Sequence, residues 1–362
     1  MINICFFSGD ITRTGGTERV SIILANALTK EPSLNISILS LTEGGDATFF
    51  PLDETIPRTC MSKKWITPGP GYLPLIPKLK KYLQKNDIDL IIDIDIVLDV
   101  LSVPASKGLK TKVISWEHFN YMFEQGYLYR RAILKHCTAK SDATVTLTNK
   151  DAQAHRDAFP SKNMILSINN PVEMPGKPAK KIKRKKAILT VGSLSKRKGT
   201  DLLIETAGSV LPDHPDWRWY VLGDGPDKKM LLASIRENGL EGQLIAKGET
   251  PDTDYYYDRA SIYCLTSRTE GLPMVLLEAK AHGLPAVSFD LHTGPADIID
   301  DGLNGILVPP EDTGAMAKAL SNLMDDADML SIMTGNVSDG LDRFSIESIK
   351  KEWLSLIYTL TV

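Results

Sequence analysis

Residues 261–289 confine this chain to one kind of fold. Ser261–Thr266 (SIYCLT) is an apolar run of strand length, Ala286–Phe289 is a second, and an almost wholly apolar stretch of helical length lies between them. Pro273 suits the first helical position and Gly283 the residue just past the end. The segment therefore reads as a strand, helix, strand unit of a parallel sheet. Open α/β sheets bind ligands at the carboxyl ends of their strands, which here is the loop SRTEGLP, and the helix opening from that loop favours an anion.

Glu270 and Glu278 stand seven residues apart across that turn. Met274, Val275, Leu276, Leu277, Ala279 and Ala281 surround Glu278, so its carboxylate is expected to be partly buried and to need hydrogen-bond donors. The two hydroxyls of a nucleotide ribose would supply them, with the attached phosphates near the amides of Gly271, Leu272, Pro273's neighbours and Met274. A core arginine, or capping of a neighbouring helix, would satisfy the same carboxylate, and the residues alone leave both open.

The same alternation of apolar strands and helices runs through the chain. Ile2–Phe7, Thr17–Thr29 and Ile36–Leu41 form a βαβ start, helical patterning returns over Pro74–Lys85, and strands are expected at Leu90–Ile92, Lys112–Ser115 and Thr144–Leu147. Composition then breaks at Glu173–Lys186 (EMPGKPAKKIKRKK), where seven basic residues fall between Lys177 and Lys186, as in an exposed linker. The pattern restarts with strand Ala187–Val191, helix Asp201–Val210 and strand Trp217–Leu222. At 362 residues and 43% hydrophobic content the chain can fill two cores. The expected organisation is an α/β protein with Rossmann-like, doubly wound domains at 1–172 and 187–344, a linker at 173–186 and a last helix at 345–362.

A net charge of −3 argues against a dedicated nucleic-acid binder. Cys5, Cys60, Cys137 and Cys264 are scattered without metal-ligand spacing, which fits reduced thiols in a cytosol. The N-terminal MINICFFSGD lacks the basic start of a signal peptide, and no run approaches the roughly 18–20 apolar residues of a membrane span. Membrane contact is expected to be peripheral.

Four further motifs accompany the paired glutamates: Gly15-Gly16-Thr17-Glu18-Arg19, Val191-Gly192-Ser193-Leu194 with Lys198-Gly199, Gly223-Asp224-Gly225-Pro226, and Gly294-Pro295 with Asn304-Gly305 and Pro309. Together, and in this order, they resemble retaining glycosyltransferases of the GT4 type, which carry an E-x7-E signature and have the GT-B fold. The resemblance implies two Rossmann-like domains facing a cleft, with the last helix crossing back onto the first domain. It implies a nucleotide-sugar donor, most commonly UDP-linked, and no metal cofactor. Glu270 and His118 would take the catalytic positions at the transferred sugar. Gly16, Gly192, Ser193, Arg197, Lys198, Gly223, Gly271, Leu272, Pro273, Met274 and Glu278 would bind the donor. Gly15 and Thr17, with Trp116 and Asn120 flanking His118, would meet the acceptor. The family usually has an arginine where this chain has Ser193, and Lys196 or Arg197 would have to replace its phosphate contact.

Read without the resemblance, Gly15-Gly16 is a turn and His118 a histidine packed among aromatic residues. Asp93-Ile94-Asp95 offers a competing reading as the manganese-binding pair of a metal-dependent transferase, but it belongs to acids alternating with Ile and Leu, as at a strand end and an exposed helix start. A catalytically silent nucleotide-binding scaffold and a sugar-nucleotide epimerase on the same fold are the other functions compatible with these motifs.

Lys63-Lys64-Trp65 and the aromatic stretch Phe119–Tyr129, with Arg130, Arg131 and Lys135, mix apolar and basic character. That mixture suits a phosphorylated lipid at a membrane surface. Similarity to bacterial surface-polysaccharide enzymes makes the expected acceptor a lipid-diphosphate-linked saccharide at the cytoplasmic face of the inner membrane. Lys78, Lys80, Lys81 and Lys85 read instead as the solvated face of a core helix.

Overall fold

The computed structural model describes residues 1–64, 66, 70–158, 163–175 and 183–361. The chain forms two compact units, residues 1–171 with 346–362, and residues 172–345. Trp65 and residues 176–182, the first part of the basic run, lie outside the described residues. Val172 already belongs to the second unit, since its N–H donates to the Phe344 carbonyl at 2.9 Å.

In the first unit the strands are β1 (Ile2–Ser8), β2 (Leu34–Thr42), β3 (Arg58–Ser62), β4 (Leu90–Ile94), β5 (Lys112–Trp116), β6 (Ala143–Thr146) and β7 (Met164–Ser167). The helices are α1 (Gly16–Leu28), α2 (Leu75–Lys85), α3 (Asp99–Ser106), α4 (Tyr121–Gln125), α5 (Leu128–His136) and α6 (Asn149–Ala158). All strands are parallel, in the order β3-β2-β1-β4-β5-β6-β7, with Ile4 level with Ile36 of β2 and Leu90 of β4. The chain starts mid-sheet, runs to one edge and returns past its first strand. With right-handed crossovers, that order puts helices on both faces and leaves a switch point between β1 and β4. Leu75, Leu79 and Leu83 of α2 are buried, and its lysines lie outside that stripe.

The last helix of the chain (Ile346–Thr361) completes this unit. Ile349, Trp353, Leu356 and Ile357 make its buried stripe at helical spacing. Trp353 is fully buried with its ring 4.8 Å from that of Trp116, and Lys350 pairs with Glu31 at 3.1 Å.

The second unit repeats the plan. Its strands are β8 (Ala187–Val191), β9 (Arg218–Leu222), β10 (Leu244–Gly248), β11 (Ile262–Leu265), β12 (Ala286–Phe289) and β13 (Gly305–Val308). Its helices are α7 (Thr200–Val210), α8 (Lys228–Glu237), α9 (Thr253–Tyr257), α10 (Met274–Ala281), α11 (Pro295–Ile298), α12 (Thr313–Asp325) and α13 (Ala327–Asn336), which makes the last helix α14. The parallel order β10-β9-β8-β11-β12-β13 has its switch point between β8 and β11, where Ile188 is level with Ile262. Ile188, Trp219, Ile262, Cys264, Leu320 and Leu323 belong to one buried core on the face covered by α7, α8 and α12.

Candidate active site

Both switch points carry residues that the sequence singles out. In the second unit the loop after β8 runs through Gly192 and Ser193 to a tight turn at Lys196–Lys198. Gly199 then takes φ 67°, and α7 begins at Thr200. Only glycine suits position 199, because a Cβ there would overlap the Thr266 carbonyl oxygen. The loop is thereby clamped to the end of β11, and Thr266 Oγ1 donates to the carbonyls of Lys198 and Gly199 at 3.2 and 3.1 Å. At Gly223, after β9, a Cβ would likewise overlap the Gly192 carbonyl oxygen.

This close packing brings Lys198 to Glu270. Nζ lies 2.6 Å from Oε1, with the glutamate only 8% exposed. Thr293 Oγ1 holds the Glu270 carbonyl at 2.7 Å. Gly271, Leu272 and Pro273 are buried beneath, and α10 opens at Met274. Pro273 is the N-cap (φ −71°, ψ 102°) rather than the first helical residue, a correction by one position. A cation, a carboxylate and a helix N-terminus thus meet at the carboxyl ends of β8 and β11.

Glu278 lies one turn into α10 and is partly exposed. Tyr257 Oη donates to its Oε2 at 2.9 Å. The sequence leaves a ribose, a core arginine and helix capping open for this carboxylate; the structure adds a buried phenol that the sequence does not name. Ser193 is exposed and Arg197 half-buried, so the position that carries an arginine in the family presents a hydroxyl here.

Arg268 was missed by sequence reasoning. Its guanidinium forks onto Asp201 at 2.7 and 2.8 Å, meets Glu311 at 2.8 Å and donates to the Lys196 carbonyl at 2.7 Å. These partners push its pKa above the ordinary arginine value, Asp201 foremost. Arg268 therefore ties the first turn of α7 and the basic turn to the strand end that leads into Glu270. The available signal was an arginine two residues before Glu270 and an aspartate opening α7.

In the first unit, Gly15 is the N-cap of α1, and Gly16 and Thr17 form its first turn. Glu18, 7% exposed, folds back over Gly15 where a Cβ would overlap Oε2. Burial raises its pKa. Its position at the third helical residue of the glycine loop was visible in the sequence, but its inward turn was not.

His118 follows β5 and is 9% exposed, with its ring 4.4 Å from that of Trp116. Nε2 is buried without a hydrogen-bond partner among the described residues, and burial lowers the pKa to about 3, so the ring is neutral near pH 7. The residues around it are braced from several elements. Glu117 Oε1 accepts from Phe119 N at 2.8 Å, and Asp151 Oδ1 of α6 accepts from Tyr121 N at 2.7 Å.

Two flanking residues need correction. Trp116 is fully buried between His118 and Trp353, so it supports His118 and offers no surface to an acceptor. Asn120 is 3% exposed and accepts from Phe123 N at 2.8 Å, which is the work of a helix cap at the start of α4.

The acids of the D-x-D stretch are not an exposed helix start. Asp93 and Asp99 are fully buried, Asp93 against Ser102 and Asp99 against Ser115 at 2.7 Å and Thr138. Burial raises the pKa of both, that of Asp99 to about 6. Asp95 pairs with Arg130 at 2.7 Å, itself under the Phe119 and Phe123 rings. Among the described residues no group of three His, Cys, Asp or Glu side chains is arranged to hold a metal.

Comparison with known proteins bears on the family and the fold. Residues 176–337 match the family described as glycosyl transferases group 1. An uncharacterised glycosyltransferase of Haemophilus influenzae is 32% identical over 357 residues, covering 99% of this chain and 100% of that protein. A Campylobacter jejuni α-1,4-N-acetylgalactosaminyltransferase, named as acting on an undecaprenyl-diphosphate-linked saccharide, is 25% identical over 99% of this chain and 98% of its own length. The solved structure of the Anabaena protein HepE in complex with UDP and glucose superposes with a TM-score of 0.81 at 16% identity, covering 99% of this chain and 100% of that one. With its two parallel, Rossmann-like sheets of the GT-B type, the chain belongs to the group 1 glycosyltransferases.

Proposed function

We propose that this chain is a retaining, metal-independent transferase that moves a hexose or N-acetylhexosamine from a UDP-sugar to a lipid-diphosphate-linked saccharide in bacterial surface-polysaccharide synthesis. The observation that carries the proposal is the Lys198–Glu270 pair at the opening of α10, with Glu278 further along the same helix.

Charge builds on the donor's diphosphate as its bond to the sugar breaks, and fixed donors must meet it. A lysine ammonium has three hydrogens, so Lys198 can keep Glu270 and still reach a phosphate. The amides at the start of α10 add their dipole. Glu270, held at its own carbonyl by Thr293, would orient hydroxyls of the transferred sugar, and Glu278 would take the ribose. With these groups the reaction needs no bound metal, and the side chains of Asp93 and Asp95 are engaged by Ser102 and Arg130.

His118 would work as a neutral imidazole at the sugar, since its burial opposes protonation. No enzymic nucleophile is required. The departing phosphate oxygen would accept the acceptor's proton on the face it leaves, which retains the anomeric configuration, and the protein would supply positioning and electrostatics.

The acceptor assignment draws support from the names of the relatives and from the surface of α4 and α5. Met122, Leu128 and Tyr129 are 57%, 82% and 57% exposed beside the exposed Arg131 and Lys135. Such a face suits peripheral contact with an anionic membrane at the cytoplasmic side. No described helix is long and apolar enough to cross a membrane. The test is transfer from a panel of UDP-sugars to polyprenyl-diphosphate saccharides and to free sugars, with the product anomer read by NMR. Selective transfer to the lipid-linked acceptor with retention is expected; inversion, or equal activity on free sugars, would contradict the proposal.

A further inference from the structure

Glu278 is held from behind by a residue that no sequence motif marks. Tyr257, at the end of α9, is 1% exposed, and its hydroxyl reaches Glu278 Oε2 at 2.9 Å. The buried ring is held by near-parallel contacts to His282 (centroids 5.1 Å, planes 17° apart) and Tyr263 (6.0 Å, 15°). Its backbone is fixed too. Arg184 donates to the carbonyls of Tyr257 and Ala260 at 3.2 and 2.6 Å, and to those of His282 and Gly283 at 2.5 and 3.1 Å. One guanidinium therefore joins the end of α9 to the end of α10, satisfying carbonyls that a helix terminus leaves unpaired. On the other side Tyr263 Oη exchanges hydrogen bonds with Val191 N and O, both at 3.2 Å, directly before the Gly192 loop.

We infer that Tyr257 is the positioning residue for Glu278, fixing the rotamer in which this carboxylate receives the ribose hydroxyls of the donor. The inference rests on the ribose role proposed above for Glu278. A glutamate side chain has three rotatable bonds and loses conformational freedom when a ligand immobilises it. A buried phenol donating to one oxygen removes that freedom beforehand and leaves the partly exposed carboxylate aimed. Tyr257 touches no substrate, so it acts on donor binding and not on the chemical step. The Arg184 contacts and the ring stack make the support rigid, and the Tyr263–Val191 contacts tie the same stack to the strand leading into the phosphate loop.

Tyr257→Phe keeps the ring and removes only the hydroxyl. Calorimetric titration of wild type and variant with UDP and with 2′,3′-dideoxy-UDP separates the roles, with thermal melting to verify that the variant is folded. Wild type is expected to prefer UDP over the dideoxy compound. In the variant UDP affinity should fall roughly ten-fold, as for loss of a hydrogen bond to a charged group, while affinity for the dideoxy compound stays the same. In a transfer assay the donor KM should rise by the same factor with little change in kcat. Equal weakening toward both ligands, or no weakening toward either, would overturn the inference. A wild type that does not distinguish the two ligands would instead remove the ribose role of Glu278, and the inference with it.

Discussion

Replacing Gly199 by alanine isolates the contact on which the candidate site is built. Gly199 sits at φ 67°, and a Cβ there would overlap the Thr266 carbonyl oxygen and lie 2.8 Å from its carbon. Left-handed backbone costs a non-glycine residue about 1–2 kcal/mol. Forcing a methyl group against packed backbone costs about 1–3 kcal/mol more. Gly239 provides the control, since it has φ 64° with nothing within 4 Å of its Cβ position, so Gly239→Ala carries the conformational cost alone. Gly199→Ala should therefore melt roughly 2–12 °C below Gly239→Ala, at about 2–4 °C per kcal/mol for a unit of this size. The overlap also pushes apart the loop that carries Lys198 and the strand end that leads to Glu270, now joined through Thr266 Oγ1. UDP affinity, measured by calorimetry, should fall at least about five-fold in Gly199→Ala and stay unchanged in Gly239→Ala. Equal melting temperatures with equal UDP affinity would refute the packing argument.

Glu270→Gln keeps the shape of the side chain and removes its charge; the transfer rate should fall by roughly 10² or more while UDP binding changes less than about three-fold, read by steady-state kinetics and calorimetry. Arg268→Ala releases the Lys196–Lys198 turn from Asp201 and should weaken UDP binding by about ten-fold, with most of the transfer rate kept at saturating donor. Asp99 has a folded pKa of about 6, raised by burial from 3.8, so the stability it contributes is complete below about pH 4 and is lost as pH rises through 6. Subtracting chemical-denaturation stabilities of Asp99→Asn from those of wild type should show the wild type losing ground over that interval, and Asp93, whose pKa is raised by burial and by Asp99, adds to the difference in the same direction. A difference that is flat with pH would place the buried proton elsewhere. His118 and His155, lowered to about 3 and 4 by burial, act with the opposite sign in both proteins and drop out of the subtraction.

The strands that the sequence revealed are those inside the sheets. β4, β5, β11 and β12 are buried at nearly every position and read as continuous apolar runs. The four that escaped notice, β3, β7, β10 and β13, are the edge strands of their sheets. Arg58–Ser62 is only half covered and carries little apolar patterning, and Met164–Ser167, though apolar, is four residues long and only half covered. Much of the candidate site in the second unit was legible because its charged and helix-opening residues sit in one local segment, 267–278, next to one glycine-bearing loop. Tyr257, Arg184 and Arg268 were not, because each acts through hydrogen bonds to residues 18 to 99 positions away that leave no spacing in the chain. The misplacement of Trp116 and Asn120 has a similar origin. Proximity to His118 in sequence does not reveal that one side chain turns into the core and the other caps a helix.

The central claim is that Lys198 and the start of α10, with no metal, receive the diphosphate of a UDP-sugar. Calorimetric titration of UDP into wild type and Lys198→Ala, in EDTA and then with manganese, tests it most directly. The account predicts one wild-type affinity under both conditions and a loss of roughly ten- to a hundred-fold in Lys198→Ala. Binding that appears only with manganese, or an affinity that Lys198→Ala leaves untouched, would contradict it.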